Sequence, residues 1–440
     1  MPELWYICFF RFITGVYFAR LTLLHPERLP KAEQPVLFLG LHRNGAVDGF
    51  VYYRLLGEPI FLISTQLTRS WFARLFFHGI AVTRRKDEGE HQEKDHLALA
   101  RCVEHLRTGG KLCVFPEGTS SLGPRHLPFK SGAAWLIADY LENGGPPLLV
   151  LPVGIHYECP WAFRSKVEVV LGQPIATELP PGATRLARLK ELKRRIEAGL
   201  EEVGINVASA KQQGHIQRLA YAATLATPRS YFQSLKALEK DISKPIEEAE
   251  ASLNQRFPWN SCEPADDPSP ALPGPLSPVE GESGPMSVNC LDPTPARGST
   301  HLWFHQGVPL MPMTSSWLYA LMLLVCAPIV GAALLLNLPP FLAGWFAGQK
   351  FPDDRNVISL WRILVGIPVF AIWIGVVSLL LILEGKLLLL GLYAAVTWLG
   401  LVLYYRVKKL AVAVHNGFRH PEVKPCLLAF HQAVLNNLPE

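Results

Sequence analysis

Short apolar runs alternate with amphipathic helical patterns through the first half of the chain. Six runs have the length of buried strands, at residues 36–41, 60–65, 80–83, 112–115, 148–153 and 167–171. Helical patterns fall between them, most clearly at 93–107 and 131–142. Alternation of this kind is typical of an α/β sheet. We therefore expect an α/β domain, to which we assign residues 31–205.

The two ends of the chain carry longer apolar segments. Residues 4–24 are apolar and aromatic but include Arg11 and Arg20, and an arginine at mid-bilayer costs ~2.5–3.5 kcal/mol. This favours a helix lying at the membrane interface; a core helix of the soluble domain is the alternative. Residues 317–336 are long enough to cross a bilayer, which takes ~20 apolar residues. Two further spans, 363–383 and 387–405, are close enough in sequence to form an antiparallel hairpin.

Basic residues lie on both sides of this hairpin: Lys350, Arg355, Arg362, Arg406, Lys408 and Lys409. Because cytoplasmic loops are enriched in Lys and Arg, both ends of the hairpin should face the cytoplasm, and we expect an integral membrane protein whose α/β domain lies on the same side. An even number of crossings is then needed after residue 300. We therefore predict that residues 317–348 form a re-entrant hairpin folded at Pro339 and Pro340.

Composition divides the remainder of the chain. Residues 263–300 contain nine prolines with many Ser, Gly and Asp, which predicts an extended or disordered linker. The basic stretch 185–202 either contacts headgroups or coenzyme A phosphates or is a solvated helix face. The predicted organisation is an interfacial membrane helix at 1–30, the α/β domain, a helical extension at 206–258, a Pro-rich linker at 259–305, transmembrane helices at 306–410 and a C-terminal tail at 411–440.

Overall composition points to a membrane. The chain has 440 residues, of which 49% are hydrophobic, and carries a formal net charge of +5; its mean hydropathy is +0.19. A phospholipid membrane is therefore an expected partner. No block of interleaved basic and aromatic residues argues for nucleic acid. The eight cysteines form no close pair, which favours reduced thiols inside a cell, and no metal-ligand spacing is present.

The segment Leu41-His42-Arg43-Asn44-Gly45-Ala46-Val47-Asp48 directly follows the first apolar run. A histidine leaving a strand end with a carboxylate nearby is suited to general-base catalysis, because the carboxylate fixes the ring tautomer. The alternative is a capped turn with His42 at the surface. Residues six apart do not share a helix face. His42 and Asp48 can therefore meet only if the chain bends between them, and Gly45 gives the freedom to do so.

Three further motifs follow in order: Gly79-Ile80-Ala81-Val82-Thr83-Arg84-Arg85, Phe115-Pro116-Glu117-Gly118-Thr119-Ser120 and Val150-Leu151-Pro152-Val153-Gly154-Ile155. Together with the histidine segment, they resemble the four motif blocks of the glycerolipid acyltransferase family, which includes lysophosphatidate and glycerol-3-phosphate acyltransferases. The resemblance covers about residues 35–175. The family's common spacing is His-x4-Asp, whereas five residues separate His42 from Asp48; some bacterial members share the longer spacing. The resemblance implies that the sheet is mixed.

The resemblance also implies functions for individual residues. His42 and Asp48 would be the catalytic pair, with His42 deprotonating a glycerol hydroxyl. Arg84 would bind the acceptor phosphate, with Arg85 and Lys86 as adjacent alternatives; the non-functional alternative is a basic surface turn after a strand. The expected substrate-binding positions are Asn44, Arg84, Arg85, Glu117, Gly118, Thr119 and Lys130. Glu117 either holds an arginine or accepts from a glycerol hydroxyl, and Lys130 either contacts phosphate or is a surface lysine.

The expected activity is O-acyl transfer to a glycerol-phosphate acceptor, either glycerol-3-phosphate or lysophosphatidate, in phospholipid synthesis. Acyl-CoA or the acyl carrier protein would be the co-substrate, and the reaction needs no cofactor or metal. Two alternatives stay open at this point. One is a non-catalytic lipid-binding membrane protein on the same fold, and the other is an acyltransferase for a different lyso-lipid.

Overall fold

The structure, a computed structural model, describes residues 4–31, 34–65, 76–77, 79–82, 91–178, 182, 184–226, 229–240, 247–248, 251 and 302–438. Its main sheet has seven strands: β1 (Arg20–Leu24), β2 (Val36–Gly40), β3 (Ile60–Ser64), β4 (Gly79–Val82), β5 (Lys111–Val114), β6 (Leu149–Tyr157) and β7 (Lys166–Leu171). Their spatial order is β1-β7-β6-β2-β5-β3-β4. Strands β2 to β6 are parallel, whereas β7 is antiparallel to β6 and pairs in parallel with β1. The predicted mixed sheet is confirmed.

Helices cover both faces of this sheet. They are α1 (Leu4–Tyr17), α2 (Val47–Leu55), α3 (His91–Arg107), α4 (Gly132–Glu142) and α5 (Arg185–Val203). Successive residues of β2 enter opposite cores: Phe38 packs with α1 and α2, and Leu37 with α3, α4 and α5. All five residues of β2 are buried, as expected for a central parallel strand. The motif that follows β2 therefore starts from a strand that is buried along its whole length.

The N-terminal segment differs from the prediction in one respect. The helix α1 ends at Tyr17, and Arg20–Leu24 forms the edge strand β1 beside β7. The apolar run thus contains a helix and a strand, because pairing with a strand almost 150 residues away decides the conformation of its second part. Part of α1 packs in the core through Phe10 and Ile13, while Leu4 and Trp5 are exposed.

Two helices, α6 (Ala210–Ala226) and α7 (Tyr231–Lys240), follow the α/β domain. The short hairpin β8 (Phe304–His305) and β9 (Val308–Pro309) precedes four apolar helices, which are α8 (Ser316–Leu336), α9 (Leu338–Lys350), α10 (Ile358–Leu383) and α11 (Leu387–Arg419). The C-terminal helix α12 (Val423–Asn437) packs back on α6 through Leu427 and Phe430. The Pro-rich segment 263–300, which is most of the predicted linker 259–305, lies entirely outside the described residues.

Within the described residues, three helices are long and apolar enough to cross a membrane: Ser316–Leu336, Arg355–Leu383 and Leu387–Arg419. The third span runs past the predicted end at residue 405, because α11 continues unbroken through its basic residues to Arg419. Helix α10 begins at Ile358, directly after the 3₁₀ turn Arg355–Val357.

Helices α8 and α9 form an antiparallel return. Helix α8 runs along α11, so that Ala333 lies against Gly400, and α9 runs back along α10, so that Gly344 lies against Gly366. The chain reverses at Asn337, two residues before the predicted position, because Pro339 and Pro340 fit the first turn of α9. The Trp373 indole donates to the Leu336 carbonyl at 2.8 Å. The turn between α8 and α9 thus lies level with Trp373, about 15 Å before the C-terminal end of α10 at Leu383, at 1.5 Å per residue.

Candidate active site

A bend in the backbone brings His42 and Asp48 together at the carboxyl end of β2. His42 lies between the strand and α2, which begins at Val47. Gly45 has φ +55°, a conformation that glycine adopts without steric cost. The imidazole Nδ1 then lies 3.0 Å from the Asp48 Oδ2 atom. The structure thus contains the bend that the six-residue spacing requires.

Asp48 is fully buried and its carboxylate is saturated with hydrogen bonds. Besides His42, the Oδ2 atom accepts from the backbone amides of Arg43 at 2.6 Å and Asn44 at 2.9 Å. The Oδ1 atom accepts from the Tyr157 hydroxyl at 2.6 Å. Burial, and after it the neighbouring Asp48 charge, raises the pKa of Tyr157 well above its ordinary value, so the phenol remains a donor. The carboxylate is therefore fixed by four groups from two segments of the chain.

This arrangement determines which ring nitrogen of His42 can act as a base. An ionised carboxylate only accepts hydrogen bonds, so Nδ1 must carry the proton that it donates to Asp48. The Nε2 atom of the neutral ring is then left as the acceptor. The imidazole also stacks on Phe115, with ring centroids 4.2 Å apart and planes 17° apart. Both the tautomer and the ring orientation are thus set before a substrate arrives.

Glu117 comes from the loop after β5, which lies next to β2 in the sheet. Its Oε1 atom accepts from the His42 backbone amide at 2.8 Å, and its Oε2 atom accepts from the Leu127 amide at 3.0 Å. Burial raises the pKa of this carboxyl above its ordinary value, although the two amides oppose the shift. These contacts favour a positioning role for Glu117 over the substrate contact that the sequence predicts.

Gly118 and Lys130 lie together beside this loop. Gly118 has φ +73°, and the space where its side chain would be is filled by the aliphatic end and ammonium of Lys130. The Lys130 backbone amide donates to the Pro116 carbonyl at 2.9 Å. Lys130 and Thr119 are both exposed. The predicted positions 117–119 and 130 therefore converge on one edge of the candidate site.

A buried arginine, Arg43, adjoins the His42–Asp48 pair. Its Nη2 atom donates to the Gly123 carbonyl at 2.6 Å, and its Nη1 atom makes no hydrogen bond to the residues that the structure describes. Burial lowers the pKa of this guanidinium, and the charges of Glu117 and Asp48 oppose that shift. The predicted phosphate ligands Arg84 and Arg85 lie outside the described residues.

The first turn of α10 also reaches the site. Asn44 is fully buried and its amide donates to the Pro160 carbonyl at 2.9 Å and to the Ser359 hydroxyl at 3.5 Å. Ser359 donates to the same Pro160 carbonyl at 2.5 Å. Asn356 donates to the backbone carbonyl and hydroxyl of Ser120, at 3.2 and 3.0 Å. The 3₁₀ turn Arg355–Val357 and the first turn of α10 therefore contact three loops, those that contain Asn44, Ser120 and Pro160.

Sequence reasoning missed Tyr157, Asn356 and Ser359. Tyr157 is the last residue of β6, and a strand-end tyrosine carries no recognisable motif. Asn356 and Ser359 are far from the site in sequence, but two polar residues just before an apolar span are a signal that could have been noticed. His156, a buried histidine of β6, has its Nε2 atom 2.9 Å from the Val203 carbonyl, and its ring has no hydrogen bond to an acidic side chain among the residues that the structure describes.

Comparison with known families characterises the segment that carries this geometry. Residues 20–156 match the family model "Acyltransferase". The match covers β1 to β6, including the His42–Asp48 bend and the Glu117 loop. This segment is therefore an acyltransferase-family domain, as the motif blocks predict.

Individual relatives point to glycerolipid acyltransferases. The chain is 32% identical over 115 residues to glycerol-3-phosphate O-acyltransferase 1 of Saccharomyces cerevisiae, covering 24% of this chain and 15% of that protein. It is 34% identical over 76 residues to glycerol-3-phosphate O-acyltransferase 2 of the same yeast, covering 17% and 10%. An uncharacterized acyltransferase of Schizosaccharomyces pombe is 30% identical over 99 residues, covering 22% and 14%. The chain thus spans at most about a seventh of these relatives.

Among solved structures, the 1-acyl-sn-glycerophosphate acyltransferase PlsC of Thermotoga maritima is similar to this chain. The sequence identity is 21% and the TM-score 0.32, over 45% of this chain and 77% of that one. All three curated relatives are acyltransferases by name, and two of them are glycerol-3-phosphate acyltransferases. The three long apolar helices of this chain support a membrane location.

Proposed function

We propose that this chain transfers a fatty acyl group from a thioester, acyl-CoA or the acyl carrier protein, to the hydroxyl of a glycerol-phosphate acceptor. The observation that carries the proposal is the His42–Asp48 pair, with Nδ1 and Oδ2 3.0 Å apart and Asp48 fully buried. The pair leaves Nε2 as a base, and no nucleophilic residue of the protein is needed because the acceptor brings its own hydroxyl.

The reaction follows from that geometry. As the acceptor oxygen forms a bond to the thioester carbon, Nε2 of His42 takes its proton, and Asp48 stabilises the resulting imidazolium. The tetrahedral intermediate then collapses, the carbon–sulfur bond breaks, and the thiolate takes the proton from His42. General-base assistance of this type contributes ~10²–10⁴-fold. Positioning of the two substrates and stabilisation of the oxyanion supply the remainder.

Two features support a phosphate on the acceptor. The relatives named above include two glycerol-3-phosphate acyltransferases, and several basic residues belong to or adjoin the motif segments. Arg84 is our first candidate ligand, with Arg85 adjacent in sequence; a guanidinium offers a forked match to phosphate oxygens. Arg43, which directly follows His42, and Lys130, which lies beside Gly118, are additional candidates. The reaction as written needs neither a cofactor nor a metal.

The membrane helices suggest the orientation. Lys350 and Arg362 lie at the ends of α9 and α10 that face the α/β domain, since Arg362 donates to the Trp161 carbonyl at 2.6 Å. We propose that this side is cytoplasmic, as the excess of basic residues there favours. In this arrangement α8 and α9 enter and leave on the domain side, and α10 and α11 cross. A tag inserted after Gly348 should then be protected from reagents added outside the cell.

The test is an acyl-transfer assay with purified membranes and labelled palmitoyl-CoA. Four acceptors are compared: glycerol-3-phosphate, lysophosphatidate, glycerol and monoacylglycerol. We expect product with a phosphorylated acceptor and at least a 100-fold smaller rate in His42→Ala, in line with the loss of general-base catalysis. The matched control is His25→Asn, a partly exposed histidine with φ +60°, which should leave the rate unchanged. Full turnover in His42→Ala would eliminate the mechanism.

A further inference from the structure

The four apolar helices line a partly open cavity of about 120 Å³ beside the α/β domain. Each helix contributes lining residues, and so does α1 through Val16 and Tyr17. Its walls are formed by aliphatic and aromatic side chains, including Val330, Leu334, Phe341, Ile367, Phe370 and Leu401. A space of this composition suits a hydrocarbon chain and offers few groups that could bind a polar molecule.

Specific packing keeps this cavity open. Helices α9 and α10 approach so closely at Gly344 and Gly366 that a Cβ on either glycine would lie 3.2–3.4 Å from the other's Cα atom. Ala333 and Gly400 bring α8 and α11 together in the same way. The two helix pairs are thus each tightly packed, and the space between them, where α8 and α9 diverge, is left unfilled.

A buried polar cluster fixes the turn at the top of the cavity. The Asn337 amide donates to the Thr397 hydroxyl at 3.0 Å, and the Tyr393 hydroxyl donates to the Asn337 Oδ1 atom at 2.8 Å. Unsatisfied polar groups are costly in an apolar environment, so these hydrogen bonds favour one position of the turn over others. The cavity is therefore a defined feature of the helical region.

Helix α10 connects the cavity with the candidate active site. Its first turn carries Ser359, which contacts Asn44 next to His42. Gly366, seven residues later, lines the cavity, about 10 Å further along the helix axis at 1.5 Å per residue. Arg362, between them, also lines the cavity and donates to the Trp161 carbonyl. The candidate active site and the cavity thus lie at opposite ends of the same two turns of α10.

We propose that this cavity receives the acyl chain of the thioester donor. The proposal rests on the proposed function, because that reaction places the thioester carbon beside the hydroxyl that His42 deprotonates and leaves the attached chain to be accommodated nearby. A chain that follows α10 from Ser359 towards Phe370 leaves water and enters the space between the helix pairs. The cavity would then receive the far end of the chain, and the enzyme would favour donors whose chains are long enough to reach it.

The test narrows the cavity and measures chain-length preference. Leu334→Trp and Leu401→Trp add volume to the wall that the α8–α11 pair forms, whereas Leu335→Trp, on a residue that is 73% exposed, is the matched control. Donors from decanoyl-CoA to stearoyl-CoA are compared with glycerol-3-phosphate as the acceptor. Each methylene excluded from an apolar site costs about fourfold in kcat/KM, from ~0.8 kcal/mol per buried methylene. We expect the palmitoyl to decanoyl ratio to fall tenfold or more in both variants and to change less than twofold in the control.

The rate with decanoyl-CoA separates a failure of this proposal from a failure of the proposed function. It reports acyl transfer itself and should be retained in Leu334→Trp, Leu401→Trp and Leu335→Trp. A second series fixes the donor and varies the chain of lysophosphatidate. A shift in that series alone would overturn the proposal, as would palmitoyl to decanoyl ratios that stay unchanged in both variants. Crosslinking with a diazirine-bearing palmitoyl-CoA gives a readout independent of turnover. Label should appear on α8 and α11 in the unmodified chain and be lost in Leu334→Trp; label elsewhere contradicts the assignment.

Discussion

Replacing Asp48 with asparagine isolates the charge of the carboxylate from its shape. In Asp48→Asn one amide oxygen can still accept from His42 and from the backbone amides of Arg43 and Asn44, while the amide nitrogen faces Tyr157. The hydroxyl of Tyr157 can accept as well as donate, so this contact survives. Asp48→Ala would instead leave four buried donors without a partner, at ~1–3 kcal/mol each. That sum is comparable with the whole stability of a domain, ~5–15 kcal/mol.

The expected loss of rate follows from the distance between the two groups. Unit charges at the observed 3.0 Å interact by roughly 5–6 kcal/mol at an effective dielectric constant of about 20. A hydrogen bond to a charged group is worth ~1.5–3 kcal/mol net. Taking about 3 kcal/mol for the stabilisation of the imidazolium, we expect kcat to fall about 100-fold in Asp48→Asn. Because the pair does not bind the acceptor phosphate, KM should change little.

The assay is steady-state acyl transfer in detergent micelles, with thermal unfolding followed on the same samples. Tyr157→Phe is the control, since it removes a single hydrogen bond to Asp48 and leaves the charge in place; we expect less than a tenfold loss of kcat. A folded Asp48→Asn protein with at least half of the original kcat would refute the reasoning.

Three other predictions follow from buried groups. In Glu117→Gln one of two backbone amides, that of His42 or that of Leu127, loses its acceptor. We therefore expect kcat to fall with little change in KM, and the melting temperature to drop because stability is lowered by ~1–3 kcal/mol. A raised KM with kcat unchanged would count against a positioning role. Burial lowers the pKa of His156 to about 3 from an ordinary 6.5, so the unfolded chain binds more protons between these values and stability should fall as pH drops from 6.5 towards 3. In His156→Gln the slope of unfolding free energy against pH should be smaller by up to ~1.4 kcal/mol per unit, and an unchanged slope would contradict the assignment. Asn337→Leu removes the buried cluster at the turn and should lower the stability of the helical region by ~0.6–1.7 kcal/mol, measured by unfolding in detergent; a more stable variant would show that the cluster does not fix the turn.

Local patterns were sufficient to predict much of the catalytic domain. The six expected strands are all present in the sheet, because each is an apolar run with turn signals beside it. The bend at Gly45 could be predicted as well, since residues six apart cannot meet on a helix. These features depend on neighbours in sequence.

What could not be predicted depends on distant partners. Arg20–Leu24 is a strand because it pairs with Lys166–Leu171, and its own residues fit a helix equally well. Tyr157 reaches Asp48 across 109 residues, and Asn356 reaches Ser120 across 236. Glu117 illustrates a different limit: its motif predicts a place at the site, but not that both of its oxygens are occupied by backbone amides.

The central claim is that His42 and Asp48 act as one unit. A double-mutant cycle tests it most directly: kcat is measured for Asp48→Asn, for His42→Ala and for the two changes combined. If Asp48 acts only through the imidazole, the combined variant should be no slower than His42→Ala alone, within about twofold, as for residues that act as a unit. A combined loss equal to the product of the two single losses would show that the two residues contribute independently.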